Sequence, residues 1–222
     1  MLPGQLLDLP RTGYSEALDL QSRLVEARRQ DRIPETLVLV EHPPVFTLGR
    51  RGQRSHIFPS DQELDRLGIQ TFQVNRGGLV TYHGPGQLVG YPITRLRALG
   101  RDVPGYVAGL QRVIVSALGE IGVPAEARTG LPGVWTAQGK IAAIGIAMVR
   151  GITMHGFAVN LQPDLSHFAL IDPCGLGDLG VVSASVMLGH EVDLFQFRCR
   201  LARCFESEFG IRFAELAGPA TF

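Results

Sequence analysis

An α+β fold, with a mixed, mostly antiparallel sheet flanked by helices, is predicted by three features of the 222-residue sequence. Long stretches with helical periodicity lie near both ends and in the middle. Short apolar runs of extended character lie between them. The two kinds do not alternate in the strict strand–helix–strand order that builds a parallel sheet. Composition fits one domain over residues 1–222: the chain is 45 % hydrophobic. At this length folding buries roughly 70 % of the surface of the unfolded chain, enough for a core without disulfides or a structural metal.

Along the chain, Tyr14 to Arg29 carries Leu18, Leu24, Val25 and Arg28 near helical spacing, and Pro34 stops the helix. Thr36 to Glu41 is a short β-branched run that resumes after Pro43-Pro44 as Val45 to Leu48. Ser60 and Glu63 form a capping box for a short helix ending near Gly68. Val103 to Ile121, opened by Pro104, is a second long helix, and Leu194 to Phe209 a third, with Phe197, Leu201 and Cys204 on one face. Between these two helices lie the extended segments Gly133 to Trp135, Lys140 to Val149 and Ile152 to Leu161, the last two joined by a tight hairpin at Arg150-Gly151.

The 21 acidic and 21 basic side chains cancel, which excludes a generally basic, nucleic-acid-coating protein. No apolar run approaches the roughly 18 residues of a membrane span, and Met1 to Gln5 does not read as a secretory signal. Cys174, Cys199 and Cys204 form neither an even set nor a C-x-x-C pair, so free thiols and a cytoplasmic location are expected.

The stretch Arg76-Gly77-Gly78-Leu79-Val80-Thr81-Tyr82-His83-Gly84-Pro85-Gly86-Gln87 surrounds one Arg and one His with glycines. Glycine lets backbone N–H groups approach a ligand, and Arg offers a planar fork to an anion. The stretch matches neither a Walker loop nor a dinucleotide fingerprint, and a plain glycine-rich hairpin is the alternative. In Asp172-Pro173-Cys174-Gly175 a cysteine sits in a turn, which makes Cys174 the candidate nucleophile, while Cys199 and Cys204 read as helix-packing residues. Lys140 is the only lysine among 21 basic residues. Arg replaces Lys on solvated faces but cannot release a proton at accessible pH, so Lys140 is the candidate proton-handling group or a side chain in a site where Arg is too large, with a base-composition bias against Lys codons as the plain alternative. His83 and His155, each followed by Gly, rival Lys140 as general base, and no metal site is expected because no ligands show paired spacing.

Together these blocks resemble the lipoyl(octanoyl) transferase family. They are His42 to Gly49, Arg76 to Gln87, Gly133 to Trp135, Lys140 to Gly145, His155 to Asn160 and Asp172 to Gly175, in the family's order. Val182 to Ser185 is similar to a later family segment, whereas Arg50-Arg51-Gly52 departs from its small or polar residues. The resemblance implies the fold of biotin and lipoate protein ligases with an acyl tunnel. It implies that Cys174 takes an octanoyl group from acyl carrier protein and Lys140 assists. Arg76, Gly77, Gly78, Leu79, Val80, Thr81, Tyr82 and His83, with Ala143, Ile144, Gly145, Gly156, Phe157 and Ala158, match its acyl-binding segments.

The implied acceptors are lipoyl domains of 2-oxoacid dehydrogenase E2 subunits and the glycine cleavage H protein. No cofactor, nucleic acid or membrane is implied, and a monomer is expected. An acyl thioester is already activated, so no nucleotide is needed. The rival readings are an ATP-dependent lipoate or biotin ligase, a non-catalytic acyl or lipoyl-domain binding module, and a cysteine thioesterase using His83 or His155. Arg50, Arg51 and Arg54 cluster as a basic patch suited to an acidic carrier protein.

Overall fold

Alternate side chains of the strand Glu35–Val40 fall into two different cores, and that alternation sets the architecture. Leu37 and Leu39 join one apolar cluster, Val38 and Val40 another. A strand buried on both faces must lie inside a sheet covered on both sides.

The computed structural model describes residues 1–172 and 180–214. The elements in chain order are β1 (Leu2–Asp8), α1 (Tyr14–Arg29), β2 (Glu35–Val40), β3 (Val45–Leu48), α2 (Asp61–Leu67), β4 (Gln70–Gln73), β5 (Val80–His83), β6 (Gln87–Ile93), α3 (Val103–Gly119), β7 (Glu126–Arg128), β8 (Leu131–Thr136), β9 (Gly139–Val149), β10 (Ile152–Asn160), α4 (Ala184–Leu188), α5 (Leu194–Phe209) and β11 (Ile211–Phe213). The main sheet runs β11-β1-β2-β6-β10-β9-β8-β7. Only β1 with β11 and β1 with β2 are parallel; the other neighbours are antiparallel. One face packs against α3 and α5, and α1 covers the other. The α+β reading, with a mixed, mostly antiparallel sheet and flanking helices, therefore holds. No helix among the described residues is long and apolar enough to cross a membrane.

A second, three-stranded sheet, β4-β3-β5, lies outside the single sheet expected. The glycine-rich stretch is not a hairpin, because β5 belongs to this small sheet and β6 to the large one. Gly84 to Gly86 carries the chain across, held by Gly86 N–H donating to Glu41 (2.8 Å). β6 was hidden in the sequence by Gly90 and Pro92. Pro92 is tolerated in a central strand because the β6–β10 ladder covers only Gln87 to Gly90. The Arg150-Gly151 hairpin forms as expected: both residues have positive φ (51° and 84°), the two-residue turn that matches strand twist.

The start of β2 is fixed by a buried ion pair. Glu35 accepts from Arg28 Nη2 (2.6 Å) and Nε (3.1 Å) of α1, and from the Arg95 backbone N–H (2.9 Å). Glu35→Ala leaves the Arg28 charge, 8 % exposed, without its buried carboxylate. The expected loss is about 3 kcal/mol, the low end for a broken buried pair because Asp31 still faces Arg28. Urea unfolding of the variant measures it.

Candidate functional site

The two sheets meet over a hollow in which side chains are missing by design of the register. Gly145 on β9 lies directly opposite Gly156 on β10. A Cβ on Gly156 would stand 2.1 Å from the Gly90 carbonyl oxygen, and one on Gly145 would stand 3.0 Å from that of Gly77. Backbone therefore approaches backbone where any other residue would clash. The result is a cavity of about 260 Å³, walled by β9 and β10 on one side and the Arg76–His83 segment on the other.

Of the residues singled out from the sequence, Arg76, Gly77, Gly78, Leu79, Val80, Thr81, His83, Lys140, Ala143, Ile144, Gly145, Gly156, Phe157 and Ala158 line this cavity. Tyr82 does not. The two-residue period of β5 sends Thr81 and His83 inward and Tyr82 into a separate core with Phe46. Arg76 turns its guanidinium towards the small sheet: Nε and Nη2 donate to Thr47 Oγ1 (3.2 and 2.8 Å), and Nη1 donates to the Gly77 carbonyl (2.9 Å). Cys174 lies outside the described residues. The residues on either side of its segment are described: Asp172 N–H donates to His56 O (2.8 Å), and Lys140 N–H donates to Gly180 O (3.1 Å).

Sequence reading missed a buried polar group at the cavity wall. Tyr14, Gln87, Tyr91 and Asn160 line it beside His83 and His155. His83 Nδ1 is 2.7 Å from Gln87 Oε1, and the Gln87 amide donates to Asn160 Oδ1 (2.9 Å) and the Tyr82 carbonyl (3.1 Å). That amide orientation assigns the proton of His83 to Nδ1. Asn160 in turn donates to Val182 O (3.2 Å), and Val182 N–H donates to Lys140 O (3.1 Å). Hydrogen bonds thus link His83 through Gln87 and Asn160 to Val182, whose own N–H is bonded to the Lys140 carbonyl. Gln87 and Asn160 had a sequence signal, as the ends of the glycine-rich motif and of the His155 to Asn160 block; that they meet is set by the fold. His42, to which sequence reading gave no role, is fully buried between Thr12 O (2.7 Å) and the Tyr91 hydroxyl (2.7 Å).

Burial holds these rings neutral. It pushes His83 down to about 3, helped by His42 and Arg76, and His155 to about 4, helped by Arg76. It lowers His42 to about 4 and raises Tyr14 to about 12. A neutral His83 is a hydrogen-bond partner at the wall rather than a cation. His155 is unusual in another way: its φ of 59° is left-handed in mid-strand, and its backbone N–H is taken by Gln21 of α1 (2.9 Å). Cys204 fits the packing role expected of it, since burial and Glu120 raise its thiol to about 11. Of the basic cluster, Arg54 is tied to Asp61 (2.9 Å) and to the carbonyl of Ile57 (2.6 Å).

The buried histidines make stability depend on pH. Below the unfolded imidazole value near 6.5 the unfolded chain takes up protons that the folded chain refuses until about 4 at His155 and about 3 at His83. Their contribution is complete above pH 6.5 and is lost as pH falls. Between pH 7 and pH 5 the unfolding free energy should drop by about 1–2 kcal/mol per histidine, with no imidazole titration of either ring by NMR across that interval.

The chain matches the lipoyl protein ligase A/B catalytic domain over residues 13–206. It is 45 % identical over 202 residues to a protein of Caldicellulosiruptor saccharolyticus named octanoyltransferase, covering 90 % of this chain and 86 % of that one. It is 46 % identical over 189 residues to the octanoyltransferase of Alkaliphilus metalliredigens, covering 85 % and 87 %. Among solved structures, the bipartite lipoate protein ligase of Thermoplasma acidophilum superposes with a TM-score of 0.74 at 18 % identity, covering 97 % of this chain and 87 % of that chain, which shows the shared fold. On the extent of the domain match and the identity to these relatives, the chain belongs to the lipoyl protein ligase A/B catalytic domain family.

Proposed function

We propose that the protein is an octanoyltransferase that moves an octanoyl group from acyl carrier protein to the lysine ε-amine of a lipoyl domain, through a thioester on Cys174. The observation that carries this reading is the place of the only lysine. Lys140 borders the apolar cavity, and its backbone is paired on both sides with Gly180 and Val182, the chain that follows Cys174. The names of the curated relatives support the acyl group.

In the first half-reaction the Cys174 thiolate attacks the carbonyl carbon of the octanoyl thioester. The bond from that carbon to the pantetheine sulfur breaks, and the leaving thiolate takes a proton from the Lys140 ammonium. Lys140 is left as a neutral amine. In the second half the acceptor amine attacks the acyl-enzyme, its extra proton passes to Lys140, and the carbon–sulfur bond to Cys174 breaks. An amide and the starting thiolate result. Arg in place of Lys140 would keep the charge and lose the proton transfer. About six methylenes of an octanoyl chain, buried against Val80, Ile144, Ile146 and Phe157, contribute roughly 5 kcal/mol. The acceptors proposed are E2 lipoyl domains and the glycine cleavage H protein, in the cytoplasm, with no nucleotide.

Incubation with octanoyl-acyl carrier protein and no ATP should give an octanoyl adduct in the intact mass of the wild type and none in Cys174→Ala. A wild type without adduct, or transfer that requires ATP, overturns the transferase reading. Lys140→Arg should lose most transfer to a lipoyl domain in a gel-shift assay; an active variant removes the proton-handling role.

A further inference from the structure

The only lysine of the chain lies over its only tryptophan. Lys140 Nζ is 5.4 Å from the centre of the Trp135 ring, and the two residues are directly opposite each other in the β8–β9 ladder. An ammonium within about 6 Å of an aromatic face is attracted by the ring quadrupole, and indole is the strongest such face. Three local devices produce this seat. The ladder slips between Val134–Ala142 and Trp135–Lys140, so Ile141 is an extra residue on β9, a bulge. Ile141 drops into the main core while Lys140 is left at the cavity. Gly133, at φ 105°, has a backbone conformation that side chains rarely adopt, and a Cβ there would stand 2.4 Å from the Ala142 carbonyl oxygen and 2.6 Å from Lys140 Cε.

The indole itself is 1 % exposed, and its Nε1–H has no hydrogen-bond partner among the described residues. A buried donor left unpaired is costly, and a phenylalanine would avoid that cost. The part of Trp135 that the fold uses is its face. Arg128 also lies against this ring, at 5.5 Å, but its guanidinium is paired with Glu126 (2.8 Å) and donates to Thr136 O (3.1 Å). Among the described residues, the other ionisable groups lining the cavity are Arg51, Arg76, His83, His155, Tyr14 and Tyr91.

We infer that Trp135, with Gly133, is the positioning residue for Lys140: the indole face holds the ammonium at the cavity and sets the direction from which it exchanges protons. The inference rests on the role given to Lys140 above, yet its geometry is testable without any transfer reaction. Because the chain has one lysine, selective ¹³C labelling of lysine yields one side-chain εCH₂ signal. Ring current from Trp135 should move that signal upfield in the wild type. The displacement should be partial in Trp135→Phe and absent in Trp135→Leu. In steady state, Trp135→Leu should lower kcat roughly tenfold, as expected for loss of a partly buried cation–aromatic contact, while KM for octanoyl-acyl carrier protein stays within about threefold.

A wild-type lysine signal at its ordinary position overturns the seat, as does a signal equally displaced in a folded Trp135→Leu. If Trp135→Leu does not fold, Trp135→Phe decides: a signal identical to that of the wild type, with unchanged kcat, overturns it. An active Lys140→Arg enzyme with a displaced wild-type lysine signal instead removes the proton role and leaves the seat standing.

Discussion

The architecture depends on backbone meeting backbone at glycine. Where β6, β10 and β9 run side by side, a Cβ on Gly156 would stand 2.1 Å from the Gly90 carbonyl oxygen, one on Gly145 3.0 Å from that of Gly77, and one on Gly90 2.2 Å from the Phe157 ring. Gly145 and Gly156 also leave out side chains that would otherwise fill the cavity they line. A tight contact and a hollow are thus two aspects of one constraint. The acyl-binding segments inferred from sequence owe their glycines as much to strand packing as to any ligand. Substitution there would act on fold and site together.

Around that hollow, burial keeps the imidazole and phenol rings neutral. The histidines and tyrosines of the wall are neutral near pH 7, and the Arg76 fork is turned to Thr47. An apolar chain with one reactive end suits such a lining, since a cavity walled by neutral polar rings at one part and valine, isoleucine and phenylalanine elsewhere costs little to dehydrate. Lys140 is the contrasting element. Its half-buried side chain lies on aromatic surface at the border, where the cavity adjoins the residues that follow Cys174.

Much of this was legible from local chemistry. The helices α1 and α5 span the Tyr14–Arg29 and Leu194–Phe209 ranges that periodicity marks out, and α2 has the Ser60–Glu63 capping box. Strands were harder. β6 carries a glycine where the Phe157 ring takes the place of a Cβ and a proline beyond the end of its ladder with β10, and β1 and β11 pair in parallel across nearly the whole chain, which no local pattern announces. The site divides in the same way. Lys140 and the glycine-rich motif stood out as composition and spacing, but Asn160 reaches Gln87 from 73 residues away. Tyr82 falls in the resembling segment because a motif quotes consecutive residues, whereas a strand turns every second one to the same face.

The thioester chemistry proposed above would expose any free side-chain amine of the chain to acylation. Guanidinium groups stay protonated and are not acylated under conditions where a free lysine amine would be. With arginine at every other basic position, the protein's own surface offers no side-chain amine as a competing acceptor. The one amine it keeps is half-buried on the bulge of β9, pressed on an indole and paired through its backbone to the adjoining chain. In the proposed reaction, the seat of Lys140 would govern whether that one amine exchanges protons or is itself acylated.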